Sequence, residues 1–262
     1  MLKKARVISV EELKKGFYHL LLQERCIARE AVPGQFLHIR IGNGLKPFLR
    51  RPFSLAGVSD QKGTLQILFR IVGEGTKILS TVSKGQEIDC LGPLGSGFHL
   101  SNRTDPAVLL AGGIGVAPLL YLANALASKR QVFLFYGAVS QSELLPVKRF
   151  LPEGVQVTFV TEDGSAGFRG LVTEVFEENL KTGLVPGDIF ACGPGAMLRE
   201  LARENRLWGY PLQISLEERM ACGVGACQGC VVGIKDKGSI LYKRVCREGP
   251  VFKDKEVVWP DV

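Results

Sequence analysis

The chain has 262 residues, a length that predicts two or three domains rather than one. With 46% hydrophobic and 23% charged residues, the composition is that of a globular protein and excludes a disordered chain. The formal net charge is +7, but the basic residues are scattered, which favours an ordinary solvated surface over a nucleic-acid-binding one.

The longest apolar stretch and the start of the chain both bear on location. Residues 107–126 read AVLLAGGIGVAPLLYLANAL, and because glycines and a proline interrupt this run it predicts strand, loop and helix instead of a membrane span. The first residues, MLKKARVISVEELKK, lack the continuous apolar core of a signal peptide. We therefore expect a cytoplasmic protein with no membrane and no nucleic-acid partner.

The residue periodicity changes twice along the chain and predicts three domains. Residues 1–101 alternate apolar and polar side chains in runs such as TLQILFRIV, typical of short antiparallel strands in a β-barrel. Residues 102–210 alternate buried strands with helices, which predicts a parallel α/β sheet whose crossover helices include one near SELLPVKRF (142–150). Residues 211–262 are too few to bury a large core, so this segment needs an additional stabilising link such as a bound metal. The expected fold class is multidomain, α/β plus β.

Four of the seven cysteines lie in this last segment with the spacing C-x4-C-x2-C-x15-C. The first three match the plant-type arrangement for a [2Fe–2S] cluster, whose fourth ligand comes from further along the chain. Intervening glycines would let backbone N–H groups approach the sulfurs. The alternatives are a set of buried free cysteines or a zinc site, but zinc sites usually pair two C-x2-C units or use histidine, and the segment has one such unit and no histidine. The predicted metal ligands are Cys222, Cys227, Cys230 and Cys246, whereas Cys26, Cys90 and Cys192 are expected in the core.

Two stretches of the first segment resemble the flavin-binding elements of ferredoxin reductases. In RRPFSLAG (50–57), the resemblance implies that an arginine meets the flavin pyrophosphate and that a serine hydroxyl reaches N5. In LFRIVGEGTKIL (68–79), a strand end is followed by a helix start whose N–H groups would bind the other side of the phosphates. An edge strand with a surface arginine and an ordinary helix cap are the alternatives. The implied FAD-binding residues are Arg51, Pro52, Phe53, Ser54, Leu68, Phe69, Arg70, Gly75 and Thr76.

The second segment carries nucleotide-binding signals. Glycines that follow a buried strand and precede a helix, in LLAGGIGVAPLL (109–120), predict a phosphate-binding turn. The pattern G-G-x-G-x-A-P is similar to the version found in ferredoxin reductases, as is ACGPGAM (191–197), whose Cys-Gly pair that family places beside the nicotinamide. A buried strand residue is the alternative for the cysteine. The implied NAD-binding residues are Gly112, Gly113, Gly115, Pro118, Cys192 and Gly193.

The stretch TEDGSAGFRG (161–170) follows a strand and is a candidate for the adenine ribose. Glu162 or Asp163 would accept a hydrogen bond from the 2′-hydroxyl, which favours NAD over NADP. Arg169 lies nearby and weakens that preference, because a basic side chain suits a 2′-phosphate.

The order of barrel, parallel sheet and cysteine segment resembles, over the whole chain, the electron transfer subunits of dihydroorotate dehydrogenase B. The stretches that carry the resemblance are PGQFLHI, RRPFS, GEGTK, LGPLGSGF, GGIGVAP, LEERMACGVGAC and VCREGPVF. It implies FAD, a [2Fe–2S] cluster and NAD as cofactors of a pyrimidine-synthesis enzyme. It also implies a partner, an FMN-containing catalytic subunit that oxidises dihydroorotate, in a heterotetramer of two chains of each kind. Ala111 departs from a further glycine in many relatives, but a small residue still fits.

The chemistry of the cofactors also argues for a conduit between two sites. NAD+ accepts a hydride whereas an iron–sulfur cluster exchanges single electrons, so the flavin must lie between them. We recognise no base for oxidising a carbon acid, hence no catalytic residue, and expect substrate chemistry on another polypeptide. Two alternatives share some of these signals. One is the NAD(P)H-linked flavin and iron–sulfur subunit of a ferredoxin oxidoreductase or hydrogenase, and the other is a zinc-bound interaction module.

Overall fold

The computed structural model describes residues 1–42, 44 and 46–259, and its first part is a closed antiparallel barrel. The strand order around this barrel is β1-β2-β5-β4-β3-β6. The strands are β1 (Leu2–Lys14), β2 (Phe17–Gln23), β3 (Phe36–Ile39), β4 (Arg51–Ser59), β5 (Thr64–Arg70) and β6 (Glu87–Leu94), with short helices α1 (Arg25–Glu30) and α2 (Glu74–Leu79). The barrel predicted from the period-two pattern is confirmed.

Strand β3 is buried on both faces, which matters for the site described below. Leu37 and Ile39 belong to the barrel's interior core. Because side chains alternate along a strand, Phe36 and His38 lie on the outer face. Both are still buried, and Phe36 packs in a core that includes Cys230 and Cys246. The outer face of β3 is therefore covered by the C-terminal segment.

The second part is a sheet in the order β10-β9-β8-β7-β11-β12-β15, parallel except for its last strand. Its parallel strands are β7 (Ala107–Gly112), β8 (Val132–Ala138), β9 (Gln156–Thr161), β10 (Phe168–Arg169), β11 (Asp188–Cys192) and β12 (Leu212–Ser215). The helices are α3 (Val116–Leu126), α4 (Val172–Lys181) and α5 (Gly195–Trp208). The α/β class predicted for this part is confirmed, since every residue of β7 and β11 is buried, as in a sheet covered on both faces.

The C-terminal segment forms a hairpin and then returns to the central sheet. The hairpin consists of β13 (Val231–Asp236) and β14 (Ser239–Arg244), and β15 (Val251–Lys253) pairs antiparallel with β12. Thus β12 and β15 lie in the central sheet, although both fall within the range 211–262 predicted for the cluster domain. The domain limits at residues 101 and 210 remain predictions.

The helix predicted near residues 142–150 was wrong. The structure has two single turns of 3-10 helix there, Gln141–Glu143 and Val147–Arg149. Pro146 separates them because proline lacks an N–H donor and disfavours the helical conformation of the residue before it. Leu144, Leu145 and Val147 are nevertheless buried, so the apolar spacing reflects packing of a loop against the core.

A buried ion pair ties the segment between barrel and sheet to β11. Arg130 Nη1 lies 2.6 Å from Asp188 Oδ2, and the Ser101 hydroxyl donates to the same oxygen at 2.6 Å. The two charged side chains are 1% and 8% exposed. Removing one partner would leave the other charge buried and uncompensated.

Asp188→Asn is therefore expected to lower the free energy of unfolding by about 3–5 kcal/mol. Urea unfolding followed by circular dichroism measures the loss. Glu177→Gln, which removes the exposed ion pair with Lys181, is the control and is expected to cost less than about 1 kcal/mol. Equal losses in the two variants would contradict a special contribution from the buried pair.

Candidate functional site

All of the residues predicted to bind FAD line one cavity of about 570 Å³ beside the barrel. They are contributed by β4, β5 and the start of α2. The opposite wall comes from the other two parts of the chain, through Ile114, Ala117 and residues 215–218, with Met220 and Pro250. The cavity thus lies where the three predicted domains meet. Its lining set includes Arg51, Pro52, Phe53, Ser54, Leu68, Phe69, Arg70, Gly75 and Thr76.

Strand β4 and helix α2 bring two anion-binding features together. A Cβ atom added at Gly75 would lie 3.6 Å from Arg51 Nε, so the amino end of α2 abuts the guanidinium. Arg51 Nη1 donates to the carbonyl of Leu49 at 2.6 Å, and guanidinium has five N–H donors in all. Thr76 Oγ1 accepts from the N–H of Val72 at 2.9 Å and shapes the turn into α2. The arrangement fits a diphosphate held between an arginine and backbone N–H groups.

A second cavity, of about 820 Å³, lies over the glycine-rich turn after β7. Four of the residues predicted to bind NAD line it, namely Gly112, Gly113, Gly115 and Gly193. Pro118 and Cys192 do not. Pro118 is buried in the first turn of α3, where a proline is tolerated.

Cys192 lies beneath the glycine turn and is 1% exposed. A Cβ atom at Gly115 would come within 2.6 Å of the Cys192 carbonyl oxygen, so only glycine lets the turn pack on the end of β11. Burial raises the pKa of the Cys192 thiol, which keeps it protonated. These features favour the alternative for Cys192, a buried strand residue.

The two cavities are adjacent, and five residues line both: Arg70, Ile114, Leu216, Glu217 and Glu218. Arg70, at the end of β5, also forms an ion pair of 2.9 Å with Glu143, which follows β8. A ligand in one cavity would therefore contact the same side chains as a ligand in the other. Ligands bound in the two cavities would lie next to each other, which direct hydride exchange requires.

Sequence reasoning missed the contribution of the C-terminal segment to both cavities. Glu217 lines each of them. The hairpin also reaches the second cavity through residues that include Val231, Ile240 and Tyr242. The stretch LEERM (216–220) marked the family resemblance, but nothing in its residue types indicates that it lines two cavities.

The residues predicted to bind the adenine ribose lie elsewhere. Glu162, Asp163 and Arg169 line neither of the two cavities. The Asp163 carboxylate accepts from the Ser165 hydroxyl at 2.6 Å and from its N–H at 2.9 Å, and these hydrogen bonds lower the pKa of Asp163. Its role towards a ribose stays a prediction.

The four predicted metal ligands form two pairs linked by N–H···S contacts. The Cys227 N–H lies 3.4 Å from Cys222 Sγ, and the Cys246 N–H lies 3.5 Å from Cys230 Sγ. Among the residues that the structure describes, no three His, Cys, Asp or Glu side chains converge as a single metal ion would require.

The loop that carries the first three cysteines is shaped to direct backbone groups at sulfur. Gly223 has φ +71° and Gly225 has φ +80°, a region that favours glycine. Partial burial raises the pKa of the Cys222 thiol, whereas hydrogen bonds from the N–H groups of Cys227 and Val224 lower it. The hydrogen bonds together have the larger effect, and the pKa falls to about 6. A thiolate-stabilising loop of this kind fits an iron–sulfur cluster.

Comparisons with known proteins agree with this geometry. Residues 217–258 match the model of the iron–sulfur cluster binding domain of dihydroorotate dehydrogenase B, and residues 109–203 match the oxidoreductase NAD-binding domain. The electron transfer subunit of dihydroorotate dehydrogenase B (NAD(+)) from Desulforamulus reducens is 42% identical, with 97% of each chain covered. The chain belongs to this family of electron transfer subunits. A Bacillus cereus member is 40% identical, with 96% of each chain covered.

Family membership establishes an oxidoreductase subunit that works with FAD, a [2Fe–2S] cluster and NAD. An NADH-dependent reduced ferredoxin–NADP oxidoreductase studied for flavin-based electron bifurcation has a similar structure, with a TM-score of 0.86 at 28% identity. The alignment covers 98% of this chain and 90% of that one. A Neisseria gonorrhoeae ferredoxin NADP+ reductase with bound FAD and NADP shares the fold, with a TM-score of 0.66 at 20% identity over 83% of this chain and 94% of that one.

Within the described part of the chain, we find no helix with the length and apolar character needed to cross a bilayer.

Proposed function

We propose that this chain takes electrons from an FMN-containing subunit that oxidises dihydroorotate and delivers them as hydride to NAD+. The order of electron transfer is cluster, then FAD, then NAD+. FAD stands in the middle because a flavin can exchange either one or two electrons. The complex is a cytoplasmic heterotetramer with two chains of each kind. The observation that carries the proposal is that the two cavities share lining residues and that the cysteine loop begins directly after Met220, a lining residue of the FAD cavity.

The cysteine loop has one side towards solvent and one side towards the barrel. Residues 226–229 are exposed, and Val224 is 47% exposed, whereas Gly223 and Gly225 are buried. An iron–sulfur centre in this loop would have an open edge for a partner and a covered edge facing the FAD cavity. This arrangement supports entry of electrons from another polypeptide.

The chain's own residues bind and orient the cofactors and supply no acid or base. Arg51 and the amino end of α2 would neutralise the FAD diphosphate, and Ser54 would donate a hydrogen bond at the flavin ring. The turn at Gly112–Gly115 would carry the NAD diphosphate. Burial of Phe53 and Phe69 beside the FAD cavity excludes water from one side of it.

The test of the proposal is reconstitution with an FMN-containing dihydroorotate dehydrogenase catalytic subunit. The purified chain with dihydroorotate and NAD+ alone is expected to form no orotate, whereas the co-purified complex should form orotate and NADH in equal amounts. Native mass spectrometry should give two copies of each chain. Orotate formation by the isolated chain would contradict the proposal, since it would mean that the chain contains a substrate site.

The alternative, a reductase subunit for ferredoxin, draws on the similarity to the ferredoxin–NADP oxidoreductase at a TM-score of 0.86. The two functions use the same cofactors and differ in the partner. Reduction of ferredoxin by NADH or NADPH with the isolated chain, at a rate above that of orotate-coupled NADH formation by the complex, would favour this alternative.

A further inference from the structure

His38 is a fully buried polar side chain whose ring nitrogens form no hydrogen bond of normal geometry within the described part of the chain. It is 0% exposed, and although the backbone of Arg50 and Cys222 lies beside the ring, neither Nδ1 nor Nε2 has a well-aligned partner. Leaving a buried polar group unpaired is unfavourable, so a buried imidazole of this kind needs a partner when the protein is complete. The position of the ring indicates what that partner is.

The His38 ring lies against the cysteine loop. A Cβ atom placed on Gly223 would be 2.4 Å from His38 Nδ1, and Gly223 directly follows Cys222. No other residue type fits at position 223 without displacing the loop or the ring. His38 is thus a direct contact between the barrel and the loop that carries three of the four cysteines.

The ring is also next to the FAD cavity. In the β3–β4 ladder, His38 is opposite Pro52 and Phe36 is opposite Ser54, and paired residues share a face of the sheet. Phe36, Pro52 and Ser54 line the FAD cavity. His38 therefore lies on the barrel face that separates the flavin from the cysteine loop.

An imidazole ring carries at least one N–H donor whatever its protonation state. Its donor needs an acceptor, and thiolate and sulfide sulfurs are the acceptors that a cluster in this loop would offer.

We propose that His38 is a positioning residue of the iron–sulfur cluster, whose ring N–H donates to a cluster sulfur on the Cys222 side. This inference rests on the proposal that the four cysteines hold the cluster. Reduction adds negative charge to the sulfurs, so a donor stabilises the reduced form more than the oxidised form. His38 would therefore raise the reduction potential of the cluster and favour its acceptance of electrons from the partner.

Three variants of the full chain test this role. His38→Leu removes the donor, His38→Asn keeps an amide N–H near the position of Nδ1, and His19→Leu is the control. His19 is also buried and has an unpaired Nε2, but its ring packs edge-on against Phe150 at 5.1 Å, at the contact between barrel and central sheet. Iron and acid-labile sulfide are measured first, and the midpoint potentials are then obtained by redox titration, with electron paramagnetic resonance for the cluster and absorbance for the flavin.

We expect His38→Leu to retain iron and to have a cluster with a lower reduction potential. The ratio of reduced to oxidised cluster should fall about tenfold at a given solution potential, which corresponds to ~59 mV for one electron. His38→Asn and His19→Leu should keep the wild-type potential. If His38→Leu loses its iron, the outcome for His38→Asn decides. A wild-type cluster potential in His38→Asn supports the positioning role of His38, whereas a shifted potential or a loss of iron in that variant overturns it.

Two other results would overturn the inference. One is an unchanged cluster potential in His38→Leu at full iron content, and the other is a shift confined to the flavin. Absence of iron from the wild-type chain is a separate outcome, because it would refute the cluster ligands themselves and with them the proposed function.

Discussion

Replacing Cys227 by serine is expected to abolish electron exchange with the partner subunit while flavin reduction by NADH continues. Cys227 is an exposed member of the first thiol pair, and its loss removes one of four ligands. Loss of groups that only support metal ligands costs about 10- to 100-fold, so loss of a ligand itself should reduce orotate-coupled turnover by more than about 100-fold. Stopped-flow absorbance separates the two steps, since NADH reduction of FAD does not pass through the cysteine loop.

Cys26→Ser is the matched control for this variant. Cys26 is a half-buried cysteine of α1, on the barrel and apart from the four ligands, and its replacement should leave both rates unchanged. If Cys227→Ser supports partner-coupled turnover at the wild-type rate, the route through the cysteine loop is wrong.

Replacing Arg51 by alanine is expected to weaken FAD binding by about 10- to 100-fold. The reason is that a hydrogen bond to a charged group contributes about 1.5–3 kcal/mol, and the diphosphate would lose its guanidinium partner. Flavin content after gel filtration and a fluorescence titration with FAD measure the effect. The iron content should stay at the wild-type level, since Arg51 is not among the thiol pairs.

Arg29→Ala is the control for charge, because Arg29 is an exposed residue of α1 on the same barrel. It should retain FAD fully. Full FAD occupancy in Arg51→Ala, at protein concentrations near the wild-type dissociation constant, would contradict the phosphate-binding role of Arg51.

The fold and much of the candidate site follow from patterns that are local in sequence. Period-two alternation predicts the barrel because it requires only neighbouring residues, and alternation of buried strands with helices predicts the central sheet for the same reason. The cysteine spacing is equally local, since three of the four thiols fall within nine residues, 222–230. The residues predicted to bind FAD could be expected to lie close together, because they belong to two strands and one helix start joined by short connections.

Other features depend on contacts between residues far apart in sequence. Glu217 lines both cavities only because the C-terminal segment packs against the central sheet. Strand β15 joins that sheet by pairing with β12. The apolar spacing at residues 142–150 is that of a helix, but Pro146 breaks the helix and packing buries the loop instead.

The sequence by itself determined the barrel, the parallel sheet, the thiol spacing and the glycine-rich turn after β7, because each depends on residues close along the chain. Only the tertiary structure decided that Cys192 is covered by Gly115, that Arg70 belongs to two cavities and that His38 meets the loop at Gly223. The physical reason is that spacing along the chain encodes local conformation, whereas the distance between remote side chains is set by how complete elements pack together.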